Sequence, residues 1–237
     1  MIALLVAVCL LGQASELPEE PFSPGIRLGP CMMASFPSMS DEKDFVDLNA
    51  EAGLELELGT VAWGGSFELL GDVSRRVRLR GAVGITRFHG AYSEDYDPWS
   101  TALLGILTGG IGFLFGTEED VVDLDDEALT VELQAYYILS RGDSFSFSAG
   151  AGPLLAFADR TLDSPNTSTR GKGTGFGFTA TLRLDQESPV KLGCLPLLFG
   201  LEAGYRYCSV ELEGEEADGF TLDFSGPVVR LGSYLGL

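Results

Sequence analysis

The chain has 237 residues, 31 glycines, 10% aromatic residues and a formal net charge of −20 at pH 7. This length fits one large all-β domain or two small domains, and we predict one, because no linker rich in proline, glycine and serine divides the chain. The excess of acid argues against a nucleic-acid partner, because phosphate binding requires Lys and Arg.

The N-terminus has the pattern of a secretory signal. Residues 2–11 form an apolar run, and Gly12-Gln13-Ala14 offers a small-x-small cleavage site before Ser15. We therefore predict a signal peptide over residues 1–14 and a single mature domain over residues 15–237. The apolar run is too short for a retained membrane anchor, which needs about 20 apolar residues.

Three cysteines remain after export. They are Cys31, Cys194 and Cys208, and none has the Cys-x-x-Cys or Cys/His spacing of a metal site. An odd number cannot pair fully within one chain. All three fall on the polar side of the alternation described next, so we predict three buried free thiols.

Eight segments of the mature chain alternate between apolar and polar residues, which is typical of β-strands with one apolar face. The clearest are residues 128–140 and 144–159, joined by the tight turn Arg141-Gly142-Asp143. Both exceed the roughly 9–11 residues with which a tilted strand crosses a bilayer. The other predicted strands are residues 25–36, 54–69 with a bulge near Gly59, 77–86, 176–184, 197–208 and 220–237.

The connections between these strands fall into two classes, with three short turns on one side and four longer, mostly acidic loops on the other. This pattern predicts an eight-stranded, antiparallel, up-and-down β-barrel with both termini on the short-turn side. The apolar face of such a barrel points to lipid in a membrane protein, and to the interior in a soluble lipocalin-like barrel.

The polar faces favour the membrane, because they collect charges of both signs in similar numbers. Inside a narrow barrel these side chains must pair, since an unpaired buried charge is costly. Aromatic residues also cluster toward strand ends, at Tyr136, Tyr137, Phe145, Phe199, Tyr205 and Tyr207. We predict a lumen charge network of Glu55, Glu57, Glu68, Arg78, Arg80, Glu132, Arg183, Glu202, Arg206 and Arg230.

The signal-like N-terminus, the eight strands and the terminal strand Val228–Leu237 (VVRLGSYLGL) resemble those of the small bacterial outer-membrane β-barrel group, OmpA/OmpX/OmpW-like. The resemblance implies outer-membrane lipid and the barrel-assembly machinery as partners. That group usually ends in an aromatic residue, whereas this chain ends in Leu237, with Tyr234 nearby.

The second long loop has two unusual parts. Asp97-Pro98 predicts a helix start and Gly109-Gly110 a stop, which places a short helix over residues 98–108, overlapping the apolar stretch 102–115. Packing at the barrel rim is the favoured interpretation of this stretch, and a lid or an interfacial segment is the alternative.

The second part, Glu118–Glu127, has seven acids in ten residues. A solvated loop is the favoured interpretation. Weak divalent-cation contact by Asp123, Asp125, Asp126 and Glu127 is a hypothesis that rests on charge density.

The favoured function is non-enzymatic: a structural or surface-interaction role for a barrel with a charge-paired lumen and no cofactor. The alternative is a narrow OmpW-like channel for small or apolar solutes. A lipid-modifying hydrolase based on His89, the single histidine, lacks a clear nucleophile and orienting acid nearby. A soluble lipocalin-like binding barrel ranks behind the membrane interpretations.

Overall fold

The computed structural model of the protein describes residues 25–38, 57–58, 61–91, 123–164, 167–214 and 220–237. Ten β-strands lie in these ranges: β1 (Ile26–Ser35), β2 (Glu57–Leu58), β3 (Ala62–Asp72), β4 (Val77–Ala91), β5 (Asp123–Arg141), β6 (Phe145–Ser164), β7 (Thr167–Leu192), β8 (Leu195–Glu213), β9 (Thr221–Asp223) and β10 (Gly226–Gly236). No helix within the same ranges is long and apolar enough to cross a membrane.

Eight of these strands close into a ring. Every neighbour pairs antiparallel, in the order β1, β3, β4, β5, β6, β7, β8 and β10, and β10 returns to β1. The short β2 and β9 extend the wall by pairing with β4 and β8. The predicted eight-stranded up-and-down barrel is thus confirmed, and its closure leaves no long strand with a free edge.

The outward face of the barrel is apolar on all eight long strands. On β7 the exposed residues Phe176, Phe178, Leu182 and Leu184 alternate with buried ones across nine positions, the length of a bilayer crossing. We call this outward band the apolar belt. Each long strand contributes to this belt, and one residue from each, in chain order, is Ile26, Phe67, Leu79, Leu133, Phe157, Phe178, Leu201 and Leu231.

A continuous apolar surface of this extent would not stay in water, since soluble monomers rarely expose apolar patches above a few hundred Å². The structure therefore contradicts the lipocalin-like alternative. The aromatic residues near the strand ends divide between the two faces. Tyr136 is 1% exposed and points into the lumen, whereas Tyr137, its neighbour, is 47% exposed on the belt.

The strands run further than predicted beyond the belt. Residues 160–172 were expected to form a loop, but β6 continues to Ser164 and β7 begins at Thr167. Likewise β7 continues through Pro189 to Leu192, and β5 begins at Asp123 inside the predicted acidic loop. Backbone pairing continues there while both faces are polar, so the alternation that identifies a strand in the sequence disappears.

Other predictions concern residues outside the described ranges. They are the signal peptide (1–14), the bulge near Gly59, the helix over 98–108, the apolar stretch 102–115 and the acidic residues 118–122.

Candidate functional site: the charged lumen

Eight of the ten predicted network residues point into the lumen and are at most 3% exposed: Glu68, Arg78, Arg80, Glu132, Arg183, Glu202, Arg206 and Arg230. Glu55 and the side chain of Glu57 lie outside the described part of the chain. Period-two alternation positions the eight, because each strand sends every second side chain inward.

Glu132 on β5 is the centre of the network. Its Oε1 accepts hydrogen bonds from Arg230 Nη2 at 2.6 Å and from Arg206 Nη2 at 2.9 Å. Its Oε2 accepts from Arg80 Nη1 at 3.0 Å. Three guanidinium groups therefore share one carboxylate, which makes Glu132 the residue on which their charge compensation depends most.

Glu68 on β3 forms the second junction. It accepts a short hydrogen bond from Arg80 and lies 3.3 Å from Arg183 Nη1. The hydroxyl of Tyr234 donates to its Oε2 at 2.7 Å. Glu68 thereby connects strands on both sides of the barrel.

Glu202 on β8 forms the third junction. Arg230 Nη1 donates to its Oε1 at 2.5 Å, and the Tyr136 hydroxyl lies 2.7 Å from its Oε2. The ring of Tyr136 lies flat against Gly150, where a Cβ would overlap the ring. Glycine at this position is what lets an aromatic side chain enter the charged layer.

A second charged layer lies at the short-turn end. Arg78 Nε donates to Asp72 Oδ1 at 2.6 Å, and its Nη1 forms a short bond with Asp185. Arg27 Nη2 and Arg141 Nη2 approach Asp72 Oδ2 at 3.5 and 3.0 Å. The network predicted from the sequence does not include Asp72 and Asp185. Each lies an even number of residues from a predicted member of the same strand, Glu68 or Arg183, and therefore faces the same side.

Among the residues that the structure describes, the buried charges of these two layers balance. Five arginines (Arg78, Arg80, Arg183, Arg206, Arg230) face five carboxylates (Glu68, Asp72, Glu132, Asp185, Glu202). A buried charge is tolerated when it is paired and hydrogen-bonded, and every member has at least one ion-pair partner within 4.0 Å. The charge-paired lumen that the sequence predicts is confirmed.

Three of the ion pairs cross the full width of the barrel. Arg80 on β4 lies 4.0 Å from Glu202 on β8, four strands away around the ring. Glu132 on β5 and Arg230 on β10 are four strands apart in either direction around the ring. Glu68 on β3 and Arg183 on β7 are also four strands apart in both directions. Side chains from opposite walls thus meet on the barrel axis, as expected when an eight-stranded barrel is just wide enough for its side chains to fill it.

The lumen becomes apolar toward the long-loop end. An apolar cluster there combines Ala128, Leu154, Ala156, Ala158, Cys208, Val210, Leu212, Leu222 and Phe224, each at most 4% exposed. Gly175 makes room for it, since a Cβ at that position would lie 2.5 Å from Val210 Cγ2. The apolar cluster covers the charged layers and keeps water from them.

One ionisable pair lies beyond the apolar cluster, outside the belt. Asp126 is fully buried with Arg160 Nε 3.7 Å from its Oδ1, and neither carboxylate oxygen has a hydrogen-bond partner. Burial therefore raises the pKa of Asp126 to about 7, against the opposing effect of Arg160. Arg160 also stacks on the Phe220 ring, 3.8 Å from its centroid.

The four residues of the proposed cation contact, Asp123, Asp125, Asp126 and Glu127, all belong to β5. Asp126 points inward and Glu127 points outward. Glu127 pairs with Arg87 Nη2 at 2.6 Å. Among the described residues, no three His, Cys, Asp or Glu side chains form a group that could hold a metal ion.

The cysteine prediction is correct for two residues and wrong for the third. Cys31 and Cys208 are buried free thiols, but Cys194 is exposed. It lies in the two-residue turn between β7 and β8, after Gly193, whose φ of 68° places the backbone in the left-handed region. Turn residues do not follow the alternation of the strands, so parity does not predict their burial.

No protein-family model matches the chain, and neither does any curated protein sequence. The solved structures that are similar to it include OprG of Pseudomonas aeruginosa, with 14% identity, a TM-score of 0.48, and coverage of 90% of this chain and 95% of that one. Ail, the attachment invasion locus protein of Yersinia pestis, has 14% identity, a TM-score of 0.45, and coverage of 90% and 97%.

A major outer-membrane protein of Thermus thermophilus has 11% identity, a TM-score of 0.45, and coverage of 90% and 99%. These are outer-membrane β-barrel proteins, the group that the sequence pattern resembles. Independently of them, the closed antiparallel ring, the outward apolar belt and the charged interior are the defining features of that class. By its own geometry the chain has the fold of a membrane-spanning β-barrel.

Proposed function

We propose that this protein is a sealed outer-membrane barrel with a structural or surface-interaction role and no enzymatic activity. The ion pairs Glu132–Arg230 and Glu68–Arg183 are the observation that carries the proposal, because each joins opposite walls on the barrel axis. The apolar cluster adds a second, dry layer above them. A solute would have to break both layers to pass.

The interaction surfaces proposed for the barrel follow from its two faces. The apolar belt contacts outer-membrane lipid, and the terminal strand β10 presents the segment that the barrel-assembly machinery would bind. On the outer side, the long loops are the candidate contact with a surface ligand or a divalent cation. Residues 123–127 extend this acidic region into β5.

The alternative, a narrow channel for small or apolar solutes, makes the opposite prediction about permeability. Proteoliposomes that contain the refolded barrel should take up neither glycine, a small polar solute, nor benzyl alcohol, an apolar one, faster than protein-free liposomes. Uptake of either solute that increases with the amount of protein would contradict a sealed lumen. Liposomes that contain a general porin serve as the positive control.

A further inference from the structure

A small cavity opens at the short-turn end of the barrel, which faces the periplasm in proteins of this class. Its volume is about 180 Å³. Its walls include Arg27, Arg141, Asp143, Phe145, Asp185 and Glu187. We call it the periplasmic pocket. Its inner wall belongs to the second charged layer, through Arg27, Arg141 and Asp185, and the ion pairs of Glu68 and Glu132 lie deeper in the lumen.

The inner end of the periplasmic pocket has more cation than anion. Three inward guanidinium groups, those of Arg27, Arg78 and Arg141, share the two carboxylates of Asp72 and Asp185. Arg27 Nη1 is buried and has no hydrogen-bond partner, and it lies 3.8 Å from Asp185 Oδ2. A buried donor without a partner is costly, so a ligand that accepts from it would gain affinity.

The outer lip of the same pocket has the opposite charge. Asp143 and Glu187 are both exposed, and neither pairs with a base among the residues that the structure describes. They flank the pocket from two different connections, the β5–β6 turn and the end of β7. A simple anion would therefore be attracted by the inner end and repelled by the lip, whereas a simple cation would meet the reverse.

We propose that the periplasmic pocket binds a small zwitterion, with its carboxylate at Arg27 and Arg141 and its ammonium group at Asp143 and Glu187. Charge-assisted hydrogen bonds to carboxylates are a geometry for which guanidinium groups are well suited. A free amino acid and a short peptide both carry these two charges. The site is independent of whether the lumen conducts, since it uses the rim and not the central ion pairs.

The test uses the full mature barrel in detergent micelles, with NMR following the backbone amides of Gly142 and Ser144 in the pocket wall. The probes are alanine, propanoate (alanine without its ammonium), ethylammonium (alanine without its carboxylate) and trialanine. Alanine or trialanine, or both, should shift these amides in a saturable manner. Propanoate and ethylammonium should each bind at least about tenfold more weakly than the better zwitterion, because each lacks one charged contact.

Comparison of alanine with trialanine shows whether the pocket accepts a free amino acid or a short peptide. Propanoate that binds as tightly as the better zwitterion would contradict the proposal, because the site would then be a plain anion site. The absence of any saturable shift with both zwitterions would also contradict it.

Variants provide a second test. Glu187→Gln removes an exposed lip charge without touching a buried pair, and it should weaken the bound zwitterion about tenfold while propanoate binding stays equal or improves. Arg141→Gln should weaken both the zwitterion and propanoate. The matched control is Arg76→Gln, an exposed arginine at the same end that donates to the Tyr137 hydroxyl and does not line the pocket. Equal effects of Glu187→Gln and Arg76→Gln would overturn the assignment.

Discussion

Glu132 and Arg230 lie 98 residues apart in the chain and on diametrically opposite strands, yet Arg230 Nη2 is 2.6 Å from Glu132 Oε1. Such a contact requires that the lumen be no wider than two side chains. It also makes the stability of the barrel depend on charge compensation at its axis, because both groups are removed from water.

Glu132→Ala should be among the most destabilising single substitutions in the lumen. It leaves Arg80, Arg206 and Arg230 without their shared carboxylate, and breaking a buried ion pair costs about 3–5 kcal/mol. The measurement is the free energy of unfolding in urea, with the barrel in detergent or lipid. The control is Glu127→Ala on the same strand, whose half-exposed pair with Arg87 should contribute at most about 1 kcal/mol.

Replacing both partners should be milder than replacing one. Glu132→Met alone leaves the buried charge of Arg230 without its partner, and the Glu132→Met/Arg230→Met double variant removes that charge as well. The unfolding free energy of the double variant should therefore exceed that of Glu132→Met alone. A double variant that is less stable than the sum of the two single effects would contradict strong coupling between the residues.

Tyr136→Phe should lower the unfolding free energy by about 1–3 kcal/mol, because it removes the hydroxyl beside Glu202 and leaves a buried acceptor with one partner fewer. Tyr137→Phe is the matched control on the next residue. Tyr137 is 47% exposed, so its loss should change stability by about 0.5 kcal/mol or less. Equal effects of the two substitutions would argue against an inward Tyr136.

The stability of the barrel should depend on pH through Asp126, which lies outside the apolar belt. Its folded pKa of about 7 exceeds the value near 3.9 of an unfolded aspartate, so the folded state holds the proton more tightly. This contribution to stability is complete below about pH 4, declines between about pH 4 and 7, and is constant above. Asp126→Asn should remove the decline and make the variant more stable than the wild type at pH 8, by a few kcal/mol at most.

Unfolding curves of the wild type and of Asp126→Asn at pH 5 and pH 8 measure this effect, since the other titrating groups contribute equally to the two proteins. A wild type that gains stability over Asp126→Asn as the pH rises would show that the Asp126 carboxylate is stabilised as an anion.

Cys194 should be the reactive thiol of the folded protein. It is exposed in a turn, whereas Cys31 and Cys208 are buried in the lumen. A maleimide should therefore modify one site of the protein prepared as residues 15–237 and folded in detergent, and three sites after unfolding. In intact cells, a membrane-impermeant maleimide should react with Cys194 only once the outer membrane is permeabilised, because short turns face the periplasm. Labelling of unpermeabilised cells would indicate the opposite orientation.

The sequence was sufficient to predict the strands across the membrane and the inward charges on them. Glu132 and Arg230 lie in runs where polar and apolar residues alternate strictly, and burial on one face enforces this alternation. Beyond the belt this alternation ends, so the sequence predicts a loop over residues 160–172, where the backbone continues as strands up to Ser164 and from Thr167. The sequence does not indicate Asp72 and Asp185 as members of the network, because each lies where the alternation of its strand ends.

Which charges meet could not be predicted from the sequence. The pair Glu132–Arg230 depends on the number of strands, on the closure of β1 with β10 and on the strand tilt, which together set which walls face each other. Tyr136 illustrates a further limit. The alternation places Tyr136 on the inward face, but its fit against Gly150 across the β5–β6 pair is a contact that neither residue indicates by itself.

The most direct test of the sealed lumen is the single-channel current of the purified barrel in planar lipid bilayers, compared with that of the Glu132→Ala/Arg230→Ala variant. We predict that the wild type shows no steady openings, and that the variant, which has lost side chains from both walls at the axis, shows openings or frequent current spikes. Steady, voltage-independent openings of the folded wild type would contradict a sealed lumen.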